Sequence, residues 1–120
     1  MELKRMTIYG YDFTFVCISR NTRNGFAHDC TLFYNSGLYN RKYTATCIYY
    51  NRTWEKYRYQ SVMIKAVNIA RDERYENLLN EFKTAYNYKR MTNERQKEFD
   101  ELIKNDEKLK VFDELINDLK

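Results

Sequence analysis

The chain has 120 residues, 43% of them hydrophobic and 32% charged, with a formal net charge of +4 and a mean hydropathy of −0.83. That is enough for one compact domain with a core, and too little for two domains of ordinary size. No run approaches the ~18 consecutive apolar residues of a membrane-spanning helix, and the N-terminal stretch Met1-Glu2-Leu3-Lys4-Arg5 leads into a segment too broken for a signal-peptide core, so a cytoplasmic location is expected.

The first predicted strand runs around Lys4 to Tyr9 and turns at Gly10 into a second, Asp12 to Ile18, with Phe13, Phe15 and Cys17 on one face. Phe26, His28, Cys30, Leu32 and Tyr34 then alternate against Asp29 and Thr31, the period-two pattern of a half-buried strand. Asn35-Ser36-Gly37 supplies turn chemistry, and Tyr43, Ala45, Cys47 and Tyr49 continue the alternation on the far side. These segments predict an antiparallel sheet of three or four strands with one face covered.

A helix follows, with Thr53 as N-cap and Glu55 in its first turn, because Tyr59, Val62, Met63, Ala66 and Ala70 form one helical stripe. A second helix is expected over Tyr75, Leu78, Leu79, Phe82 and Tyr86, with a break between Asn87 and Thr92. In the tail, Leu102, Leu109, Phe112, Ile116 and Leu119 take heptad-like positions interrupted at Asn105, as one long helix or two short ones. The expected fold class is therefore α+β: residues 1–70 as a sheet with its packing helix, and residues 71–120 as a helical extension of the same compact domain.

Three cysteines, Cys17, Cys30 and Cys47, with no close pair fit reduced, buried thiols better than a disulfide framework. With one histidine and no CxxC motif, no metal site is expected, and the glycines at 10, 25 and 37 form no phosphate-cradling loop, so no cofactor is expected either. His28 falls on the apolar strand face, where a satisfied structural imidazole is the common outcome, and its neighbour Asp29 points to the opposite face. Cys30, two residues from His28 on the same face, is the nearest approach to a thiol nucleophile with a base. The inventory points away from an enzyme.

Charge divides the chain: residues 1–66 carry ten Lys and Arg against four Asp and Glu, a net of +6, whereas residues 67–120 carry eleven against thirteen, a net of −2. The basic half interleaves cations with rings. Arg20 and Arg23 precede the Phe26 strand, Arg41 and Lys42 follow the hairpin turn, and Arg52, Lys56 and Arg58 cluster with Trp54 and Tyr57 before the helix. Guanidinium groups among flat rings suit phosphate and base contacts and equally suit protein interfaces. These nine residues are the candidate binding surface.

The stretch Ser19-Arg20-Asn21-Thr22-Arg23-Asn24-Gly25-Phe26-Ala27-His28-Asp29-Cys30-Thr31-Leu32-Phe33, with Tyr50-Asn51-Arg52-Thr53-Trp54-Glu55 and Tyr57-Arg58-Tyr59-Gln60-Ser61-Val62-Met63, resembles a small domain carried by phages, plasmids and integrative elements of Gram-positive bacteria. The resemblance implies an accessory protein of a mobile element, a setting in which short non-catalytic chains often inhibit host defence, including anti-CRISPR proteins that block the type II effector nuclease. The partner implied is such a nuclease or its guide RNA complex. The basic first half departs from the acidic DNA mimics among those inhibitors. Two other expectations stand beside it: a DNA- or RNA-binding accessory protein of phage replication or transcription, and a regulatory dimer held by the Leu102 to Leu119 stripe.

Overall fold

The alternating segments of the first half form four antiparallel strands, β1 (Glu2–Ile8), β2 (Tyr11–Thr22), β3 (Gly25–Ser36) and β4 (Tyr39–Tyr49), in the spatial order β1-β2-β3-β4. A computed structural model describes residues 1–36, 39–50, 58–87 and 90–120, without the side chains of Ser36 and Tyr39. The β1–β2 connection is a two-residue turn closed by the Ile8–Tyr11 pair, with Tyr9 at φ 48° and Gly10 at φ 83°. Two consecutive left-handed residues are what a type I′ hairpin turn needs to match strand twist; glycine takes that conformation freely and tyrosine at a cost. Gly25 is required for a different reason. A β-carbon there would lie 1.9 Å from the carbonyl oxygen of Tyr49 on the neighbouring strand.

The inward face of the sheet is the predicted one. Phe13, Phe15, Cys17, Cys30, Leu32, Tyr34 and Ala45 are buried beneath helix α1 (Gln60–Ala85) and helix α3 (Glu107–Leu119). Val62, Met63, Ala66, Val67 and Ala70 descend from α1, and Val111, Phe112, Leu115 and Leu119 from α3. Each large apolar side chain removed from water in this way contributes about 1.5–3 kcal/mol. Phe13, Tyr34 and Phe112 meet ring to ring, which holds α3 against the sheet near its β1–β2 turn end.

The two helices expected between residues 53 and 86 are one. Helix α1 runs unbroken for 26 residues, because the stripe through Ala70 and the stripe from Tyr75 share one helical register and no proline or glycine separates them. What changes near Arg71 is the partner: the helix leaves the sheet and projects roughly 20 Å beyond it at 1.5 Å per residue. The boundary drawn at residue 70 thus falls within a continuous helix. The expected cap Thr53 and first-turn Glu55 lie outside the described residues, and the described helix starts after Tyr59 with no side-chain cap.

The break after Asn87 is present, and the tail resolves into two helices, α2 (Asn93–Asn105) and α3. Thr92 caps α2 by accepting from the Arg95 amide, and Asp106 caps α3 by accepting from the Leu109 amide at 3.0 Å. The projecting part of α1 forms a second small core with them, centred on Leu78, Phe99 and Leu109 and flanked by Tyr75, Leu79, Phe82 and Ile103. Helices α1 and α3 run antiparallel, tied at successive levels by Gln60 donating to the Leu119 carbonyl, by Arg71 to Asp113, and by Arg74 to both oxygens of Asp106. The heptad-like stripe is therefore spent inside the chain: Leu109, Phe112 and Leu119 are buried, Ile116 packs against the core, and Leu102 remains exposed. No helix among the described residues is long and apolar enough to cross a membrane.

Candidate functional site

Both helices that pack on the sheet lie on one side of it, and among the described residues no helix lies on the other side, where Ala27 is nonetheless buried. Strand register places its side chains in cross-strand rows. One row reads Arg5, Thr14, Phe33, Lys42; the next reads Leu3, Val16, Thr31, Thr44; then come Ile18, Asp29, Thr46 and, furthest along, Arg20, Ala27, Ile48. Leu3, Ile18, Phe33 and Ile48 are 43–55% exposed, although they stand where the alternation pattern calls for polar groups. A flat face of branched aliphatics, threonines and one ring, with cations at its margins, is a binding surface in composition.

Its charges are not all available. Asp29 accepts from Arg20 at 2.7 Å and from Thr46 at 2.6 Å. Burial alone would raise the Asp29 carboxyl, but those two hydrogen bonds and the Arg20 charge outweigh it and hold the pKa below the usual carboxylate value. Asp12 accepts from Thr7 at 2.9 Å. Arg5 and Lys42 have no ion-pair partner among the described residues and outnumber Asp12, whose charge the Thr7 hydroxyl leaves in place, so the net charge on this face is positive.

The predicted site residues do not form one patch. Arg20 lies on the outer face, in an ion pair, and Arg23 is exposed in the β2–β3 turn; Arg58 is exposed just before α1, which starts beside Ser19 of β2 at the same end of the sheet. Lys42 is on the outer face near the opposite end, about 20 Å from Arg20 at ~3.3 Å per residue of strand. Arg41 points to the inner side, into a cleft of about 400 Å³ beneath the projecting part of α1, 4.0 Å from Glu73. Arg52, Trp54, Lys56 and Tyr57 lie outside the described residues. Sequence reasoning missed Arg5, Phe33, Ile18 and Ile48. The signal for the last three was available, as large apolar residues at out-facing strand positions.

That cleft is self-neutralised. Arg41 faces Glu73, Arg74 is committed to Asp106, and Tyr43 is hydrogen-bonded to Glu73, its phenol pushed well above the ordinary range first by burial and then by that carboxylate. Lys108 and Glu81 add one charge of each sign.

Catalytic chemistry finds little support here. Ser19 Oγ lies 2.7 Å from His28 Nδ1, the spacing of a nucleophile and its base, but it also lies 2.7 Å from the Tyr59 hydroxyl. The imidazole is 3% exposed and enclosed by the rings of Phe26, Tyr49 and Tyr59. It reads as a satisfied core histidine that ties β2 and β3 to the start of α1. Cys30 pairs with Cys17 across the strands, both thiols wholly buried; their hydrogen bond lowers the Cys17 pKa and, with burial, raises that of Cys30. Among the described residues no three metal-ligating side chains are grouped.

Comparison with protein-family models, curated proteins and solved structures finds no match to this chain.

Proposed function

We propose that this chain is a non-catalytic binding protein whose working surface is the face of the sheet opposite α1 and α3, and that it acts in the bacterial cytoplasm as a stoichiometric inhibitor of a defence nuclease. The observation that carries the binding reading is the outward exposure of Leu3, Ile18, Phe33 and Ile48 on one flat four-stranded face bordered by Arg5 and Lys42. Monomeric proteins seldom leave such a face bare without a use for it. The buried state of His28, Cys17 and Cys30 supports binding over catalysis. The choice of a defence nuclease, with the type II CRISPR effector foremost, rests on the resemblance to mobile-element proteins.

The experiment is a pull-down of tagged protein from a Gram-positive lysate, with and without nucleic-acid digestion, followed by cleavage assays with the captured nuclease. Capture that survives digestion, with inhibition saturating at a fixed molar ratio, supports the proposal. Full cleavage activity across a panel of type II effectors at excess inhibitor removes the nuclease assignment. An Ile18→Glu or Ile48→Glu variant that folds normally and still captures the target removes the sheet face.

A further inference from the structure

We infer that the row Arg5–Thr14–Phe33–Lys42 is a contact site for single-stranded nucleic acid. The inference rests on the reading that the open face is the working surface, and it names what lies against one end of that face.

Three observations converge. First, the ring of Phe33 is exposed and bracketed within its own row by two cations: Lys42 stands directly opposite on β4 and Arg5 two strands away on β1. With strands about 4.8 Å apart, the two cations stand roughly 14 Å from each other at the backbone with the ring between them. A base stacked on Phe33 would carry its backbone past one cation on each side, within reach of long, flexible side chains. Second, the surrounding electrostatics select an anion. Asp29 is neutralised by Arg20, and beside the ring the two cations Arg5 and Lys42, which have no ion-pair partner among the described residues, outnumber the one remaining carboxylate, Asp12, which accepts from the neutral Thr7 hydroxyl. Third, a hollow of about 580 Å³ opens beside the ring at the end of β3 and β4, lined by Asp12, Thr14, Asn35, Asn40 and Lys42 and reached also by Tyr34 and Arg41. Asn35 and Asn40 face each other across β3 and β4, so the hollow presents amide donors and acceptors of the kind that bind base edges.

A duplex does not satisfy this arrangement. Stacking on Phe33 needs a base released from its own stack, and the site offers a flat face with a shallow hollow in place of an element that enters a groove. The exposed aliphatics further along the face, Ile18 and Ile48, remain outside the site.

The test is equilibrium binding of the full chain to fluorescent oligo(dT) and oligo(U), followed by anisotropy across a salt series, with a self-complementary duplex as control. Binding to at least one single strand at low salt is expected, weakening with salt at a slope of about 0.7 per phosphate contact, so that Arg5→Gln and Lys42→Gln each reduce the slope by about that amount. Phe33→Ala is expected to weaken binding by roughly tenfold or more with an unchanged salt slope. If Phe33→Ala does not fold, the two exposed glutamine variants carry the test alone. No binding to either single strand at low salt, equal binding of the duplex, or slopes unaffected by both glutamine variants would overturn the inference. Capture of a nuclease that survives nucleic-acid digestion, with no oligonucleotide binding, would overturn this site and leave the proposed function standing.

Discussion

Replacement of Asp106 separates two contributions that meet in one side chain. Its carboxylate accepts the Leu109 amide as the N-cap of α3 and holds the Arg74 guanidinium through both oxygens, at 2.8 and 3.2 Å. Asp106→Ala removes both. A lost cap costs about 1 kcal/mol. The charged hydrogen bonds add about 1–2 kcal/mol, at the low end for such bonds because Arg74 is 26% exposed and can turn to water. The sum is about 2–3 kcal/mol. Asp106→Asn keeps an oxygen for the cap and loses only the ion pair, so about 1–2 kcal/mol is expected. At ~2.1 cal/mol/K of unfolding entropy per residue, the alanine variant should lower the midpoint by about 8–12 °C and the asparagine variant by about half that. Urea unfolding followed by far-UV circular dichroism, with the slope checked for constancy, measures both. Equal losses in the two variants would refute the division into cap and ion pair, and a loss below about 0.5 kcal/mol for alanine would refute the role of Asp106 at the α2–α3 junction.

Ser19→Ala removes the hydroxyl that meets both His28 Nδ1 and the Tyr59 phenol, so a loss of about 1–3 kcal/mol is expected in the same assay. Gly25→Ala drives a β-carbon into the Tyr49 carbonyl, a backbone clash that no rotamer relieves, and should cost more than about 3 kcal/mol or prevent folding, seen as loss of the cooperative transition. Thermal midpoints should fall with acid and with alkali. Asp29 and Asp106 titrate below their ordinary value of 3.8 in the folded state, so their contribution is present above about that pH and lost as pH falls through the lower folded values. Tyr11 and Tyr43 titrate above 10.0, so their contribution is present below pH 10 and lost as pH rises through the folded values. A midpoint flat from pH 2 to 4 would contradict the carboxylate assignment.

Period-two alternation made the sheet legible, since each of Phe13, Phe15, Cys17, Cys30 and Leu32 had one face to occupy and all five reach the core. The continuity of α1 was less visible, because Arg71, Asp72, Glu73 and Arg74 look like a solvated interval. They are the level at which the helix, packed on α3 throughout, leaves the sheet and meets α2, and Arg71 and Arg74 pair with Asp113 and Asp106, more than 30 positions on in the chain. The candidate surface was the least legible part. Grouping basic residues by nearness in sequence put Arg41 with Lys42, whereas adjacent strand residues face opposite sides, so Arg41 reaches Glu73 in the inner cleft, which Lys42 does not line, although both border the hollow at the strand ends. Arg5 and Phe33 join Lys42 only through register, which spans three strands and cannot be read from local spacing.

The meander order of the strands has a consequence for how the chain assembles. Every strand pairs with its neighbour in sequence, so β1 to β4 can zip as successive hairpins with short loops to close, a low-contact-order route. The layer that seals them is different: Phe112 reaches Phe13, and Leu119 meets Gln60. The apolar side of the sheet is therefore sealed only once α1 and then α3 dock on it, and the barrier to folding is expected at the docking of these helices. Substitutions in α3, such as Leu115→Ala, should then slow refolding if docking is part of the transition state, while those in the β1–β2 turn should act chiefly on an earlier, faster event.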